Sequence, residues 1–169
     1  LPAPIDFGKN VAVKHTPRKN VKAKVREAAT AVNYVKVNTA PEDWEGQYLI
    51  VYEEGSLAMN GGLTDKLDVA KNTVTITIED EEIASTKTTD AASFRIAKVS
   101  GGNSIKSASG LYIGWNNDAK NGLDSNKSTA YVNKFSIDGT GNADIVSECG
   151  SYLRYNLTEN QERFRYFKA

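Results

Sequence analysis

The chain has 169 residues, which is enough for one domain with its own hydrophobic core. Its formal net charge is zero, with 25% charged and 40% hydrophobic residues, so attraction of the whole surface to nucleic acid or to anionic membranes is not expected. His15 is the only histidine and Cys149 the only cysteine, which excludes an internal disulfide and a Cys/His zinc site. The apolar runs are only a few residues long, so no transmembrane helix is expected.

Residues 1–33 are predicted to be a basic N-terminal arm or lead-in, followed by a domain over residues 34–169. Between Lys9 and Arg26 the sequence has seven Lys/Arg residues and no acid. Too few apolar residues accompany them to offset the entropy of ordering, so loose attachment is expected. A flexible arm, a strand pair along a barrel and a pro-segment are all compatible with this stretch. Residues 22–32 are its only helix candidate.

The main organising signal is a repeat with a constant offset of 40 residues. Residues 105–113 and 145–153 share the pattern I-x-S-x-x-G-x-Y-[IL], and residues 50–58 form a weaker third copy. Each copy predicts a β-hairpin whose turn glycine tolerates a positive φ. We therefore expect Gly55, Gly110 and Gly150 to occupy equivalent positions about a pseudo-threefold axis.

Strands are also predicted between the hairpins. An aromatic residue and an apolar or aromatic residue two positions later mark closing strands at Phe94–Ile96, Phe135–Ile137 and Phe164–Tyr166. Strict alternation of β-branched residues over 73–78 predicts an extra strand. The polar stretch 115–128 is predicted to be a loop with a short strand near Leu123.

Three such units resemble the β-trefoil, in particular ricin-B-like lectin and fascin-like modules, over residues 46–168. The chain is also similar to small secreted bacterial modules of unassigned function that open W-x-G-x-Y-L-I-V-Y-E, here from Trp44, and close L-R-Y-N…R-F-R-Y, here from Leu153. The resemblance implies an all-β, trefoil-like closed barrel of three hairpin repeats. The Q-x-W tripeptide of sugar-binding trefoils is absent from the closing strands, so the usual lectin site is not implied.

Catalysis is not expected, and no cofactor is predicted. Cys149 and His15 are the only pair available for a nucleophile and its histidine base, but Cys149 takes the turn position that Ser109 holds in the sister hairpin. Phosphate-binding, nucleophile-elbow and zinc-protease motifs are all missing from the sequence. The sequence therefore favours a binding module over an enzyme.

The most suggestive binding segment runs from Tyr112 to Asp118. An aromatic ring beside amides and a carboxylate is what a sugar requires, since the ring contacts C–H groups and the polar side chains contact hydroxyls. Regular pleating, with Tyr112 taken as a core residue, predicts an outward Trp115. The predicted ligand-binding residues are Tyr112, Trp115, Asn116, Asn117, Asp118, Asp124, Asn126 and Tyr131. Turn formation by Asn, Asp and Gly with a packed Trp115 is the structural alternative.

Two further binding patterns occur in the sequence. Oxygen atoms of Asp118, Asn121, Asp124 and Asn126 offer a calcium alternative, although EF-hand spacing is absent and no metal site is predicted. In the last strands, Arg154, Arg163 and Arg165 alternate with aromatic residues, which predicts a basic face if the alternation holds. Such a face is most simply a solvated strand face, and contact with acidic glycans or nucleic acid is the alternative.

The sequence thus predicts a non-catalytic module that recognises carbohydrate. A protein-interaction role, such as a trefoil peptidase inhibitor or an adhesin component, and polyanion binding through the basic arm are the alternatives. A glycan or protein ligand is expected, and nucleic acid is not. The chain starts at Leu1 rather than Met, which suggests a removed signal peptide or an excised fragment. With the scarcity of His and Cys, this favours a secreted or cell-surface location.

Overall fold

The computed structural model of this protein describes residues 10–17 and 32–169. Within this part of the chain the fold is all-β, as predicted, with a single short helix, α1 (Lys87–Ala91). The strands are β1 (Asn10–Pro17), β2 (Val32–Lys36), β3 (Gly46–Tyr52), β4 (Leu57–Met59), β5 (Thr73–Thr75), β6 (Glu82–Ala84), β7 (Phe94–Val99), β8 (Gly102–Ser107), β9 (Tyr112–Gly114), β10 (Asp124–Asn126), β11 (Asn133–Ile137), β12 (Ala143–Ser147), β13 (Tyr152–Asn156) and β14 (Arg163–Phe167).

The described strands form one 14-stranded sheet in which all neighbours are antiparallel. The main path has the order β14-β13-β12-β11-β8-β7-β3-β1-β2-β6. β4 and β5 branch from β3, and β9 and β10 branch from β8. Since β14 and β6 at the two ends do not pair in the described chain, the closed barrel expected from the sequence is not confirmed.

Part of the predicted basic arm is a structural strand. β1 lies between β2 and β3, and Val11, Ala12 and Val13 are buried. For this part of the arm the strand-pair alternative is confirmed, and the prediction of loose attachment is wrong. The three consecutive apolar residues are buried on both faces of the strand and so stabilise its place in the sheet. Residues 18–31, with most of the basic side chains and nearly all of the helix candidate 22–32, lie outside the described residues.

The sheet has a hydrophobic core on each face of β1 and β3. Successive side chains of a strand point to opposite faces, so Tyr48 and Ile50 enter the larger core while Leu49 and Val51 enter the smaller one. β1 follows the same rule, with Ala12 in the larger core and its two neighbours in the smaller. Burial on both faces explains why residues 48–51 are an unbroken apolar run rather than an alternating pattern.

The hairpins predicted at 105–113 and 145–153 are confirmed and share their hydrogen bonds. The backbone N–H groups of Ser107 and Ser147 donate to the carbonyls of Leu111 and Ser151, at 2.7 and 2.8 Å. In return the serine Oγ atoms accept from the N–H of Leu111 and of Ser151, at 2.9 and 3.1 Å. The turn glycines have φ of +98° at Gly110 and +87° at Gly150. These contacts are the physical reason for the S-x-x-G pattern.

The weaker third copy forms a different turn. β3 and β4 pair as a hairpin, but the left-handed residue is Ser56, with φ of +50°, and Gly55 lies outside that conformation. The turn between Tyr52 and Leu57 is one residue longer than the turn between Ser107 and Leu111 in the second hairpin. The predicted equivalence of Gly55 with Gly110 and Gly150 is therefore wrong, whereas that of the latter two is supported by their matching turns.

The predicted closing strands correspond to β7, β11 and β14, and the short strand near Leu123 is β10. Of the strand predicted over 73–78, only Thr73–Thr75 is a strand of the sheet. α1 was not predicted from the sequence, because its five residues are too few to show a helical period. Thr86 begins this helix by accepting from the Thr89 N–H at 3.1 Å and donating its own N–H to Thr89 Oγ1 at 2.8 Å.

Candidate functional site

Four of the predicted site residues lie on one outer face of the sheet. Tyr112 of β9 is opposite Asn126 of β10, and Gly114 is opposite Asp124. Side chains of directly opposed residues, and of residues two apart on a strand, point to the same face. Tyr131 joins them because its side chain lies against Gly114. We call the surface of Lys106, Tyr112, Asp124, Asn126 and Tyr131 the β9–β10 face.

Gly114 makes room for Tyr131 on this face. A Cβ atom at Gly114 would collide with the Cβ and ring of Tyr131, so only glycine permits the ring to approach the strand this closely. Gly114 is buried as a result, while Tyr131 is half-buried. The contact places Tyr131 against Gly114, which is two residues along the strand from the other tyrosine, Tyr112.

Lys106 is a member of this face that the sequence analysis missed. It is opposite Tyr112 in the β8–β9 pair, and its Nζ lies 5.0 Å from the centre of the Tyr112 ring. This is within range of a cation–π interaction. The repeat pattern could have indicated this pairing, because in the hairpin Lys106, directly before Ser107, is opposite Tyr112 on the next strand.

The polar side chains of the face have different roles. Asn126 organises the following turn, since its Oδ1 accepts from the N–H groups of Ser128 and Thr129 at 2.9 and 2.6 Å. Asp124 is exposed, and within the described chain its carboxylate makes no hydrogen bond or ion pair. Asp124 is therefore an exposed acceptor on this face without a partner among the described residues.

Trp115 is turned toward the protein rather than outward. Its neighbour Ile113 is fully buried, and the half-buried Trp115 packs against the larger core, with its ring directly over Gly122. Its Nε1–H donates to the Lys120 carbonyl at 2.9 Å. The expected partial exposure of Trp115 agrees with the structure, but its expected outward direction is wrong, because Tyr112 was taken as a core residue, whereas Tyr112 is outward and Ile113 is the core position.

Asn116, Asn117 and Asp118 are exposed in the loop after Trp115 and do not form part of the β9–β10 strands. Asn117 Oδ1 accepts from the Ala119 N–H at 3.0 Å, so this side chain shapes the turn. The three residues stand at the end of the β9–β10 hairpin, where the chain reverses from β9 toward β10.

The calcium alternative has weak geometry. Asn121 Oδ1 accepts from the Lys168 N–H at 2.9 Å, and Asn126 Oδ1 is occupied by its turn. In residues 10–17 and 32–169, no three His, Cys, Asp or Glu side chains are grouped to hold a metal ion. The amide oxygens that were candidate ligands thus have structural partners.

Cys149 and His15 have separate surroundings. The His15 ring packs against Tyr34 with centroids 4.9 Å apart. Cys149 Sγ lies 3.3 Å from Ser147 Oγ and 3.5 Å from Ser151 Oγ, and it contacts the Trp115 carbonyl at 3.6 Å. Partial burial raises the pKa of the Cys149 thiol, but hydrogen bonds from the two serines outweigh it, so this pKa lies below its ordinary value.

The predicted alternation on the last strands holds. Tyr155, Phe164 and Tyr166 point into the core, while Arg154, Arg163 and Arg165 are half-buried on the outer face. Asp68 binds two of these arginines, with contacts of 3.0 and 3.1 Å to Arg165 and 3.2 Å to Arg163. This network ties the loop after β4 to β14, so these two arginines have a structural role.

Of the basic stretch 9–26, only residues 10–17 are described. Lys14 is half-buried on β1 and packs against Gly46, where its Cε lies 3.2 Å from the position of a Cβ. The basic residues from Arg18 to Arg26 lie outside the described residues, so polyanion binding by the arm stays a prediction.

The one helix in the described chain has five residues, far fewer than are needed to cross a membrane. Comparisons with protein-family models, with curated proteins and with solved structures find no match to this chain.

Proposed function

We propose that this protein is a non-catalytic carbohydrate-binding module whose ligand lies on the β9–β10 face. The observation that carries the proposal is the contact between Gly114 and Tyr131, which places a second half-exposed ring on the same face as Tyr112. Because Tyr131 is not part of the core, the space that Gly114 leaves for its ring does not serve core packing. A role of the ring at the surface would explain this contact.

The chemistry of the face matches a neutral sugar. Two tyrosine rings offer apolar surface for the C–H side of a pyranose, and their hydroxyls donate and accept hydrogen bonds. The Asp124 carboxylate accepts from sugar hydroxyls, and the second amide hydrogen of Asn126 remains for a donor role, since only one reaches the Thr129 carbonyl at 3.0 Å. Lys106 lies over the Tyr112 ring. Its positive charge offsets the negative charge of Asp124 on the same face, as suits an uncharged ligand.

The trefoil-like barrel belongs to the same proposal. Two of the three hairpins share one turn geometry, and β1 lies close to β12 and β13, where Asn10 Nδ2 donates to the Leu153 carbonyl. We propose that these contacts bring the two halves of the sheet around the larger core in a trefoil-like arrangement. A secreted or cell-surface location suits a module of this kind.

The test is a glycan array followed by calorimetry on the best neutral ligand. Tyr131→Ala and Asp124→Asn should each weaken binding about tenfold or more, the loss expected for a stacking ring or for a hydrogen bond to a charged group. Tyr152→Ala is the matched control, because Tyr152 is an equally half-buried tyrosine at the corresponding position of the sister hairpin. Thermal unfolding of each variant checks that the fold is retained.

If no glycan binds, or if Tyr152→Ala weakens binding as much as Tyr131→Ala does, the β9–β10 face is not a sugar site. A protein-interaction role would then be the better account, and pull-down with peptidases and cell-surface proteins would follow.

A further inference from the structure

A second surface, on the outer side of β13 and β14, has an arginine whose donors are unused. Arg154 lies over the Tyr152 ring, with its Cζ 4.6 Å from the ring centre, and its Nη2 is 3.5 Å from Asp144 Oδ1. These contacts orient the guanidinium and pair its charge with Asp144, but the Arg154 side chain makes no hydrogen bond among the described residues. Its side chain is 38% exposed.

The other two arginines of this surface provide the contrast. Arg165 binds both oxygens of Asp68, and Arg163 binds one of them. Their side chains are 31% and 20% exposed, so both are less accessible than that of Arg154. Arg154 is thus the most exposed of the three and leaves more N–H donors for an anion than Arg163 or Arg165, while its direction is fixed by Tyr152 and Asp144.

A groove of about 370 Å³ opens beside Arg154 and is lined by Tyr152, Arg154, Phe167, Lys168 and Ala169, which we call the Arg154 groove. No acidic side chain lines it, and Lys168 is exposed. Asp144 pairs with Arg154, so the side chains at the groove carry one cation in excess. Phe167 and Tyr152 supply apolar walls.

We infer that the Arg154 groove binds an acidic polysaccharide through the carboxylate or sulfate group of one sugar unit. Arg154 would donate to the anionic group, and Lys168 would add its charge. Single-stranded nucleic acid is a poorer fit, because it binds by stacking successive bases on open aromatic rings, whereas Arg154 lies over the Tyr152 ring and Phe167 is only 4% exposed. This inference does not depend on the β9–β10 face.

The test measures binding of a polygalacturonate fragment and of a heparin fragment to the full chain, with dextran as the neutral probe. Arg154→Gln and Lys168→Gln should each weaken binding of an acidic probe, with about a tenfold loss for Arg154→Gln, the size of a charge-assisted hydrogen bond. Arg95→Gln is the control, since Arg95 is an exposed arginine opposite Lys106 beside the other surface. Binding should also fall as salt is raised.

Three results would overturn the inference. These are the absence of binding to both acidic probes, equal losses in Arg154→Gln and Arg95→Gln, and equal affinity for single-stranded DNA. Tyr131→Ala separates the two proposals, because it should leave acidic-glycan binding intact while it removes neutral-glycan binding. Loss of one activity without the other thus identifies which proposal has failed.

Discussion

The β8–β9 and β12–β13 hairpins share their turns and their inward side chains but differ on the outer face. Ile105 and Ile113 of the first are as buried as Ile145 and Leu153 of the second, all at 0–1% exposure. Both hairpins then present a half-buried tyrosine outward. Two residues later the first has Gly114 and the second has Arg154.

That single outward position determines the character of each surface. Gly114 admits the ring of Tyr131 beside the strand, whereas Arg154 lies over the ring of its own neighbour Tyr152 and borders a groove. The repeat therefore preserves the inward side chains, while the outward side chains differ. The following predictions test this division between inward and outward residues.

The largest effects should come from the inward residues. Ile113→Ala and Leu153→Ala should each lower the free energy of unfolding by about 2–5 kcal/mol, because each removes a fully buried side chain and leaves a cavity. Denaturant titration of both variants measures this. Similar losses would support the equivalence of the hairpins, and a loss below about 1 kcal/mol in either would contradict it.

Gly114→Ala should destabilise the chain by about 1–3 kcal/mol, as expected when an atom is forced into a packed contact. It should also displace Tyr131, which a change in the Tyr131 ring signals by NMR would report. Arg154→Ala, at the corresponding position, should cost less than Gly114→Ala because its side chain is partly exposed. The reverse order would mean that Tyr131 does not need Gly114.

Gly110→Ala and Gly150→Ala should each cost about 1 kcal/mol, since both residues have a left-handed backbone that a Cβ disfavours. No atom lies within 4 Å of a Cβ at either position, so steric collision does not contribute. Equal changes in unfolding midpoint are expected for the pair. Unequal changes would show that the two turns are not equivalent in energy.

The smallest effect concerns the chemistry of the turns. Cys149 replaces Ser109 of the sister hairpin, and hydrogen bonds from Ser147 and Ser151 lower the pKa of its thiol despite partial burial. The pH midpoint of alkylation should therefore be lower in the folded chain than in urea. Ser151→Ala should raise that midpoint, and an unchanged midpoint would argue against these hydrogen bonds.

The all-β class, the two matching hairpins and the positions of the closing strands could be predicted because each leaves a period or a repeated turn in the sequence. The strand at residues 10–13 could not be predicted, because β1 pairs with β3, whose residues lie about forty positions away in the sequence. The inward side of β9 was also assigned incorrectly. In a strand of only three residues, such as Tyr112–Gly114, the sequence pattern does not show whether the first and third side chains or the middle one point into the core.

The grouping of the candidate residues could be predicted only in part. Tyr112, Asp124, Asn126 and Tyr131 do come together, but the role of Tyr131 depends on its contact with Gly114, which sequence spacing does not reveal. The place of Lys106 on this face depends on the pairing of β8 with β9. The Arg154 groove is recognised from the different contacts that the three arginines make.

The most direct test of the account is an NMR titration of the labelled chain with its best neutral glycan. The account predicts that shift changes concentrate at Tyr112, Asp124, Asn126 and Tyr131 and spare Tyr152. Shift changes centred on another surface, or none at saturating glycan, would contradict carbohydrate binding by the β9–β10 face.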